Sequence, residues 1–195
     1  HCDEKGRLNL EELKQTVTGQ TAAVFVNHCS NVTGYEAPLA EISRFVHAKG
    51  SILIADASQS AGHLRIDVKE QEPDILVFTG HKGLYGSQGT GGFYVRQGIV
   101  VRQSVFGGTG RDSRTLVMQE DSQEQDAGTQ NMQGIGALCA GVRFVSETGI
   151  EQIQKKESML MKALRSGLES IRGVTVYGQD DFTGAVLSFN IEGLE

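Results

Sequence analysis

The sequence predicts an α/β fold in which a mainly parallel sheet is sandwiched between layers of helices. In the first half of the chain, short apolar segments alternate with segments that have the periodicity of amphipathic helices. Strands that are apolar almost throughout are typical of parallel sheets covered on both faces. The last part of the chain has long helical patterns followed by alternating segments, which predicts the start of a smaller α+β unit.

The elements of the first half follow in order. Leu8 to Val17 predicts a short amphipathic helix, and Ala22 to Val26 predicts a buried strand. The segment "APLAEISRFVHAKG" has a proline near its start and a glycine at its end, as helices do. Its apolar residues predict the buried face of that helix: Leu39, Ile42, Phe45 and Val46. "SILIADASQS" and "DILVFTGHK" predict the second and third strands, and "TGGFYVR" predicts the fourth.

The second half has a different character. "MQGIGALCAGVRFVSETG" predicts a helix that is apolar over much of its surface and therefore well buried. Ile150 to Ile171 predicts a long amphipathic helix, and "GVTVYG" and "GAVLSFNI" predict two strands. We therefore divide the chain into residues 1–149, a partial large domain, and residues 150–195, a linking helix with the start of a small domain.

Composition narrows the classes of function. The chain has 195 residues, a net charge of −6 and no basic run with interleaved aromatic residues, which argues against nucleic acid or an acidic membrane surface as a partner. Three scattered cysteines form neither a disulfide framework nor a paired zinc motif, so no metal site is expected. Together with the lack of a run of transmembrane length, the sparse cysteines favour a reducing, cytoplasmic setting.

Polar side chains follow each of the first three predicted strands. In open α/β sheets, ligands bind beyond the carboxyl ends of the strands, so these side chains are expected to line one crevice. They are Asn27, His28 and Asn31 after the first strand, Asp56, Ser58 and Gln59 after the second, and Thr79, His81 and Lys82 after the third.

Each of these residues also has an ordinary interpretation. Lys82 in a glycine-rich loop can be solvated, Asp56 can cap a turn, and His81 can be a loop histidine. The spacing of glycines from Gly80 resembles a phosphate loop, but the Gly-Lys-Ser/Thr order of a P-loop is absent. The set as a whole favours pyridoxal phosphate, which uses an amine for its aldehyde, a carboxylate for its pyridine nitrogen and hydroxyls, imidazole and backbone N–H groups for its phosphate.

The segments "ADASQSAGHLRIDV" and "PDILVFTGHKGLYGSQGTGGFYVR" resemble the class V aminotransferase family of fold-type I pyridoxal-phosphate enzymes, most closely its cysteine desulfurase branch. "NHCSNVTG" and "DAGTQNMQGIGAL" extend the resemblance over nearly the whole chain. It implies conversion of L-cysteine to L-alanine with transfer of sulfur to an enzyme persulfide. A class V aminotransferase or a selenocysteine lyase remains an alternative, and so does a non-catalytic fragment or dimerising module.

The resemblance also implies a role for each site residue. Lys82 is expected to form the Schiff base and then to act as acid and base, and Asp56 to pair with the pyridine nitrogen. Gln59 is expected to donate to the phenolic oxygen. Thr79 and His81 are expected to hold the phosphate. The remaining two are Asn31, expected near the phenolic oxygen and substrate carboxylate, and Thr109, expected to reach the phosphate of a partner subunit or else to form an ordinary turn.

Further expectations concern the neighbours of this site. The glycines beside Lys82 are expected to let the backbone approach the cofactor and a dimer partner. The resemblance implies a homodimer, a sulfur-acceptor protein as a partner, and a parent protein that extends beyond both ends of this chain and carries the nucleophilic cysteine. Cys29 lies near the predicted site; it is interpreted as a packing residue, with sulfur acceptor as the alternative.

Overall fold

The structure, a computed structural model, describes residues 1–102, 104, 128–178 and 185–194. Its larger sheet has four strands in the order of the chain: β1 (Ala23–Asn27), β2 (Ile52–Asp56), β3 (Ile75–Thr79) and β4 (Gly91–Val95). The first three strands are parallel, and β4 runs antiparallel to β3. The prediction of a mainly parallel sheet is therefore confirmed, and all four predicted strands are present.

Three helices belong to this part of the chain: α1 (Leu10–Thr16), α2 (Leu39–Ala48) and α3 (Val68–Gln71). The side chain of Asn9 caps α1 by accepting a hydrogen bond from the Glu12 N–H. Helix α2 starts after Pro38 and ends just before Gly50, which has a φ of +74°. The short helix α3 was not predicted from the sequence.

The core lies between α2 and one face of the sheet. Leu39, Ile42 and Val46 of α2 are fully or almost fully buried against Leu53 and Ala55 of β2. The predicted buried face of α2 is thus confirmed for these three residues, whereas Phe45 is only partly buried. Burial of such side chains contributes about 1.5–3 kcal/mol each, so this cluster is the main source of stability for β1 and β2.

Alternation along β2 puts Ile54 and Asp56 on the sheet face opposite to α2. In the register of the sheet, Phe25 pairs with Ile54 and Asn27 pairs with Asp56, so these four residues share that face. The Phe25 side chain is 75% exposed, which means that no described residue covers it. The described residues therefore bury one face of the sheet thoroughly and leave an apolar side chain accessible on the other.

The second part of the structure consists of α4 (Met132–Thr148), α5 (Ile150–Glu169) and a two-stranded antiparallel sheet of β5 (Val174–Val176) and β6 (Phe189–Ile191). The prediction that α4 is well buried is wrong for the described residues. Only a narrow stripe of α4 is buried, and Met132 and Phe144 are 70% and 51% exposed. The sequence could not distinguish a helix that is buried in this chain from one whose apolar surface is left open.

A buried carboxylate fixes the end of the sheet that lies away from the polar strand ends. Asp74 is fully buried and precedes β3. Its Oδ2 accepts hydrogen bonds from the Leu53 N–H at 2.6 Å and from His47 Nε2 at 2.8 Å, and its Oδ1 pairs with Arg96. One side chain thereby joins α2, β2, β3 and the end of β4, which holds the sheet from which the polar strand ends project.

Candidate active site

The polar residues at the strand ends meet at one edge of the sheet, as predicted. Asp56 lies beside Asn27 on one side and Val77 on the other, and Thr79 follows two residues after Val77 on the same face. Asp56 is half-buried, and its Oδ1 accepts a hydrogen bond from the Ser58 N–H at 2.8 Å. A carboxylate and a hydroxyl therefore lie together at the carboxyl ends of β2 and β3, the position at which parallel sheets bind their ligands.

Lys82 lies in the loop that connects β3 to the antiparallel strand β4. Hydrogen bonds close this loop at its base, from the Gly80 N–H to the Thr90 carbonyl and from the Gly86 N–H to the Gly80 carbonyl, both at 2.8 Å. The Lys82 side chain is half-buried. Tyr85 has a φ of +56°, a strained value for a residue with a side chain, and its N–H bonds to the Lys82 carbonyl at 2.9 Å. The loop is thus a tightly constrained structure rather than a solvated linker.

The glycines of this loop lie in close main-chain contacts within the protein. A methyl group on Gly83 would lie closer than 3.0 Å to the Ala61 carbonyl oxygen and to the ring of His63. A methyl group on Gly62, whose φ is +86°, would meet the Gly83 carbonyl just as closely. The loop after β2 and the loop after β3 therefore touch through their main chains, and only glycine permits that separation.

Helix α4 presses on the same loop from its other side. A methyl group on Gly141 would lie closer than 3.0 Å to the Leu84 carbonyl oxygen, and one on Gly86 would lie within 3.0 Å of Gly80 and Leu138. Several glycines around Lys82 thus let one main chain pack against another, and their expected contact with a cofactor and a dimer partner stays a prediction. The segments that carry Asp56 and Lys82 are held at a fixed separation in this way.

Thr79 provides a test of whether these residues suit a phosphate-bearing cofactor. Its Oγ1 is buried, and among the described residues it has no hydrogen-bond partner. A buried hydroxyl without a partner is costly, so a ligand acceptor at this position would relieve it. His81, two residues later, is exposed. A hydroxyl and an imidazole can donate hydrogen bonds to a phosphate monoester, and the Lys82 amine can react with an aldehyde. The donor set fits pyridoxal phosphate.

The other predicted site residues lie around this edge. Asn31 is exposed in the turn that follows β1, and Gln59 is half-buried in the turn that follows β2. The turn of Asn31 touches the second sheet, because the Ser188 hydroxyl donates to the Val32 carbonyl at 2.5 Å. Thr109 lies outside the described residues, so its predicted role stays a prediction.

Sequence reasoning missed a side-chain hydrogen bond behind the Lys82 loop. His63 Nδ1 lies 2.8 Å from Glu157 Oε1, and the two side chains are each 20% exposed. His63 comes from the loop after β2, its ring lies against Gly83, and Glu157 comes from the middle of α5. The sequence held no signal for this pair, because its members are 94 positions apart.

Cys29 behaves as a packing residue. It is buried, and loss of solvation together with the nearby charge of Glu36 raises the pKa of its thiol to about 11. A thiol with that pKa is almost entirely protonated near neutral pH and is a poor nucleophile. Cys2 and Cys139 are exposed, and for Cys139 this contradicts the prediction of a packed helix.

The described residues contain neither a cluster of side chains suited to a metal ion nor a helix suited to crossing a membrane. No group of three or more His, Cys, Asp or Glu side chains in these residues is arranged to hold a metal ion. Nor does any helix in the described part of the chain combine the length and the hydropathy that crossing a membrane requires.

Comparison with known proteins gives one consistent result. The family model described as aminotransferase class-V matches residues 1–195. A probable cysteine desulfurase of Pyrococcus abyssi is 33% identical over 98% of the chain, and a cysteine desulfurase of Shigella flexneri is 35% identical over 95%. The apo structure of a cysteine desulfurase from Thermococcus onnurineus superposes on the whole chain with a TM-score of 0.91 at 32% identity. The chain covers 49%, 47% and 50% of these three proteins, about half the length of each.

Proposed function

The chain belongs to the class-V aminotransferase family, and from that premise we propose that it serves in a pyridoxal-phosphate-dependent cysteine desulfurase. Such an enzyme takes L-cysteine to L-alanine and passes the sulfur to an acceptor thiol. The names of its relatives support this reaction over others of the family. The single observation that carries the proposal is the main-chain contact between the segment of Asp56 and the segment of Lys82.

Each residue of the site has a defined task in this proposal. The Lys82 amine would hold the cofactor through its aldehyde carbon, with loss of water, and Asp56 would accept a hydrogen bond from the pyridine N–H and favour the protonated nitrogen. Gln59 would donate to the phenolic oxygen, and Thr79 and His81 would donate to the phosphate. When bound, pyridoxal phosphate withdraws electrons from the α-carbon of the substrate and so makes its α-proton acidic.

Substrate chemistry then depends on proton movement at Lys82. Once the amino group of the substrate displaces it, the neutral Nζ of Lys82 accepts the α-proton and becomes the ammonium that returns a proton to the product. Asn31, which is exposed in the turn after β1, would orient the substrate carboxylate. Cys29 does not suit the role of sulfur acceptor, because a thiol with a pKa of about 11 is protonated at working pH.

The test is covalent labelling of the complete protein loaded with pyridoxal phosphate. Borohydride reduction followed by peptide mass spectrometry is expected to place the reduced adduct on Lys82. Lys82→Ala should abolish the adduct, whereas Lys69→Ala, on the exposed surface of α3, should leave it unchanged. An adduct that persists in Lys82→Ala would disprove the assignment.

A second arm tests the carboxylate. Asp56→Ala should keep the adduct at Lys82 but lower the production of alanine by several orders of magnitude, because the ring nitrogen would lose its proton. Asp56→Ala with unchanged turnover would show that this carboxylate does not face the ring.

We also propose that the protein forms a homodimer and works in the cytoplasm. Exposed apolar side chains along one face of α4, Met132, Ile135 and Val142, support the dimer, because a monomer seldom leaves such a helix face open to water. Sedimentation equilibrium should give twice the monomer mass, and Ile135→Glu should shift the protein towards monomer. A monomeric mass for the unmodified protein would refute the dimer.

A further inference from the structure

A fully buried histidine, His28, lies directly behind the edge that carries Asp56. Its N–H donates to the Asp56 carbonyl at 2.8 Å, and its carbonyl accepts from the Ala37 N–H at 2.8 Å. Its ring Nδ1 lies 2.8 Å from the hydroxyl of Ser60, which is also fully buried, and its Nε2 lies 3.6 Å from Glu36 Oε1. Nothing in the proposed reaction uses this ring.

The surroundings of the ring determine which nitrogen carries the proton. Nε2 faces a carboxylate oxygen, and an unprotonated nitrogen there would set two acceptors against each other. With the proton on Nε2, Nδ1 is free to accept the Ser60 hydroxyl proton at 2.8 Å, a shorter contact than the 3.3 Å from that hydroxyl to the Ala57 carbonyl. The Glu36 carboxylate thus faces Nε2 at 3.6 Å, which is longer than a hydrogen bond, and a hydrogen bond joins Nδ1 to the Ser60 hydroxyl.

Ser60, the innermost of these three residues, lies in the turn that follows Asp56. The Ser60 N–H and the Ala61 N–H both bond to the Ala57 carbonyl, at 3.0 and 2.8 Å, so Ser60 closes the turn that contains Gln59. Since His28 and Ser60 are inaccessible to solvent, the serine cannot act on a substrate. The arrangement can only position its neighbours.

We propose that Glu36, His28 and Ser60 are positioning residues that hold the turn of residues 57–60 in register with Asp56. In this scheme Glu36 fixes the tautomer of His28, and His28 fixes the Ser60 hydroxyl. The inference rests on the proposed function insofar as Asp56 and Gln59 hold the cofactor. Replacement of one of these three residues should therefore change how the cofactor is bound without removing any group that touches the cofactor.

The first experiment reads the tautomer directly and needs no cofactor. Nitrogen NMR of the complete protein with ¹⁵N-labelled histidine is expected to show His28 with a protonated Nε2 and an unprotonated Nδ1, assigned by the loss of its signals in His28→Gln. Glu36→Gln keeps an oxygen that can face Nε2 and should preserve this tautomer, whereas Glu36→Leu should raise the population with a protonated Nδ1. A protonated Nδ1 in the unmodified protein would overturn the proposal.

The second experiment separates positioning from general stability. Ser60→Ala is compared with Ser43→Ala, which removes another fully buried hydroxyl, bonded to the Gln71 carbonyl at 2.6 Å far from the site. Ser60→Ala should shift the absorbance maximum of the bound cofactor and weaken pyridoxal phosphate binding roughly tenfold, about the effect of one buried hydrogen bond. Ser43→Ala should change neither quantity.

The outcomes distinguish the two proposals. Suppose that borohydride labels Lys82 in the unmodified protein, and that Ser60→Ala and Glu36→Leu match Ser43→Ala in pyridoxal phosphate affinity and in the absorbance maximum of the bound cofactor. The positioning role is then refuted while the proposed function stands. If Lys82 is never labelled, the proposed function fails, and the NMR experiment still decides which ring nitrogen of His28 carries the proton. Glu36 is partly exposed, so Glu36→Leu is expected to fold even if Ser60→Ala does not.

Discussion

Two glycines of helix α4 should respond in opposite ways to the same substitution. Gly136 faces open space, with nothing within 4 Å of a methyl group built on it. Gly141 lies one and a half turns further along the helix, and a methyl group there would approach the main chain of Leu84 and Tyr85 closer than 3.0 Å. The pair isolates the contact between α4 and the Lys82 loop, because both changes add one methyl group to the same helix.

The magnitudes follow from two terms. Alanine is favoured over glycine inside a helix by about 0.8–1.0 kcal/mol, and both variants gain this amount. Gly141→Ala must also displace a carbonyl oxygen and a main-chain carbon, neither of which can rotate away as a side chain would, and such overpacking costs about 1–3 kcal/mol. We therefore expect the free energy of unfolding of Gly141→Ala to be lower than that of Gly136→Ala by about 1–3 kcal/mol.

Urea unfolding followed by circular dichroism measures both values. The dependence on urea should be unchanged in each variant, so the shift in midpoint gives the difference directly. In the complete protein, Gly141→Ala should also slow labelling of Lys82, since the loop moves with Leu84. Equal stabilisation of the two variants would show that α4 does not press on the loop, and would refute the account of the glycines given above.

Three other changes have defined outcomes. Asp74→Ala leaves a buried N–H, a histidine and an arginine without their acceptor and should lower the free energy of unfolding by about 3–5 kcal/mol, whereas Glu70→Ala on the surface should change it little. Glu157→Ala removes the support behind the Lys82 loop and should speed amide hydrogen exchange of residues 80–86 about tenfold without affecting β1; equal exchange would exclude the support. The pKa of Cys29 is raised to about 11, so its thiol should react with iodoacetamide far more slowly than that of Cys139 at pH 8, and its rate should rise until about pH 11. The free energy of unfolding should fall as the pH rises from about 9 to 11, because the folded state holds the Cys29 proton more tightly than the unfolded state does. Fast reaction of Cys29 at pH 8 would contradict this assignment.

Local pattern was sufficient for the large sheet and its polar edge. The strands are short apolar runs that stop at Asn27, Asp56 and Thr79, and parallel pairing necessarily brings such ends together. The helix from Leu39 to Ala48 was equally legible, because its proline and glycine mark its ends and its apolar residues share one face. The meeting of Asn27, Asp56 and Thr79 at one edge followed from topology alone.

Pairwise contacts between distant segments could not be predicted in the same way. The purpose of a glycine depends on what lies opposite its α-carbon, and for Gly62 and Gly141 that is main chain from elsewhere in the sequence. The pairing of His63 with Glu157 is of the same kind. The prediction that α4 is well buried failed for a related reason. Apolar composition indicates which residues a helix could bury, but not whether a neighbouring element covers them.

The main-chain contact between Gly62 and Gly83 has a consequence for how this fold tolerates change. A gap bridged by side chains can widen or narrow as rotamers shift, and a new residue can restore it. A separation set by direct contact between two main chains has no such adjustable groups. Its width therefore depends on the positions of the strands that lead into the two loops, and it stays constant. The surrounding side chains can therefore change while the spacing between the main chains of the two loops stays the same.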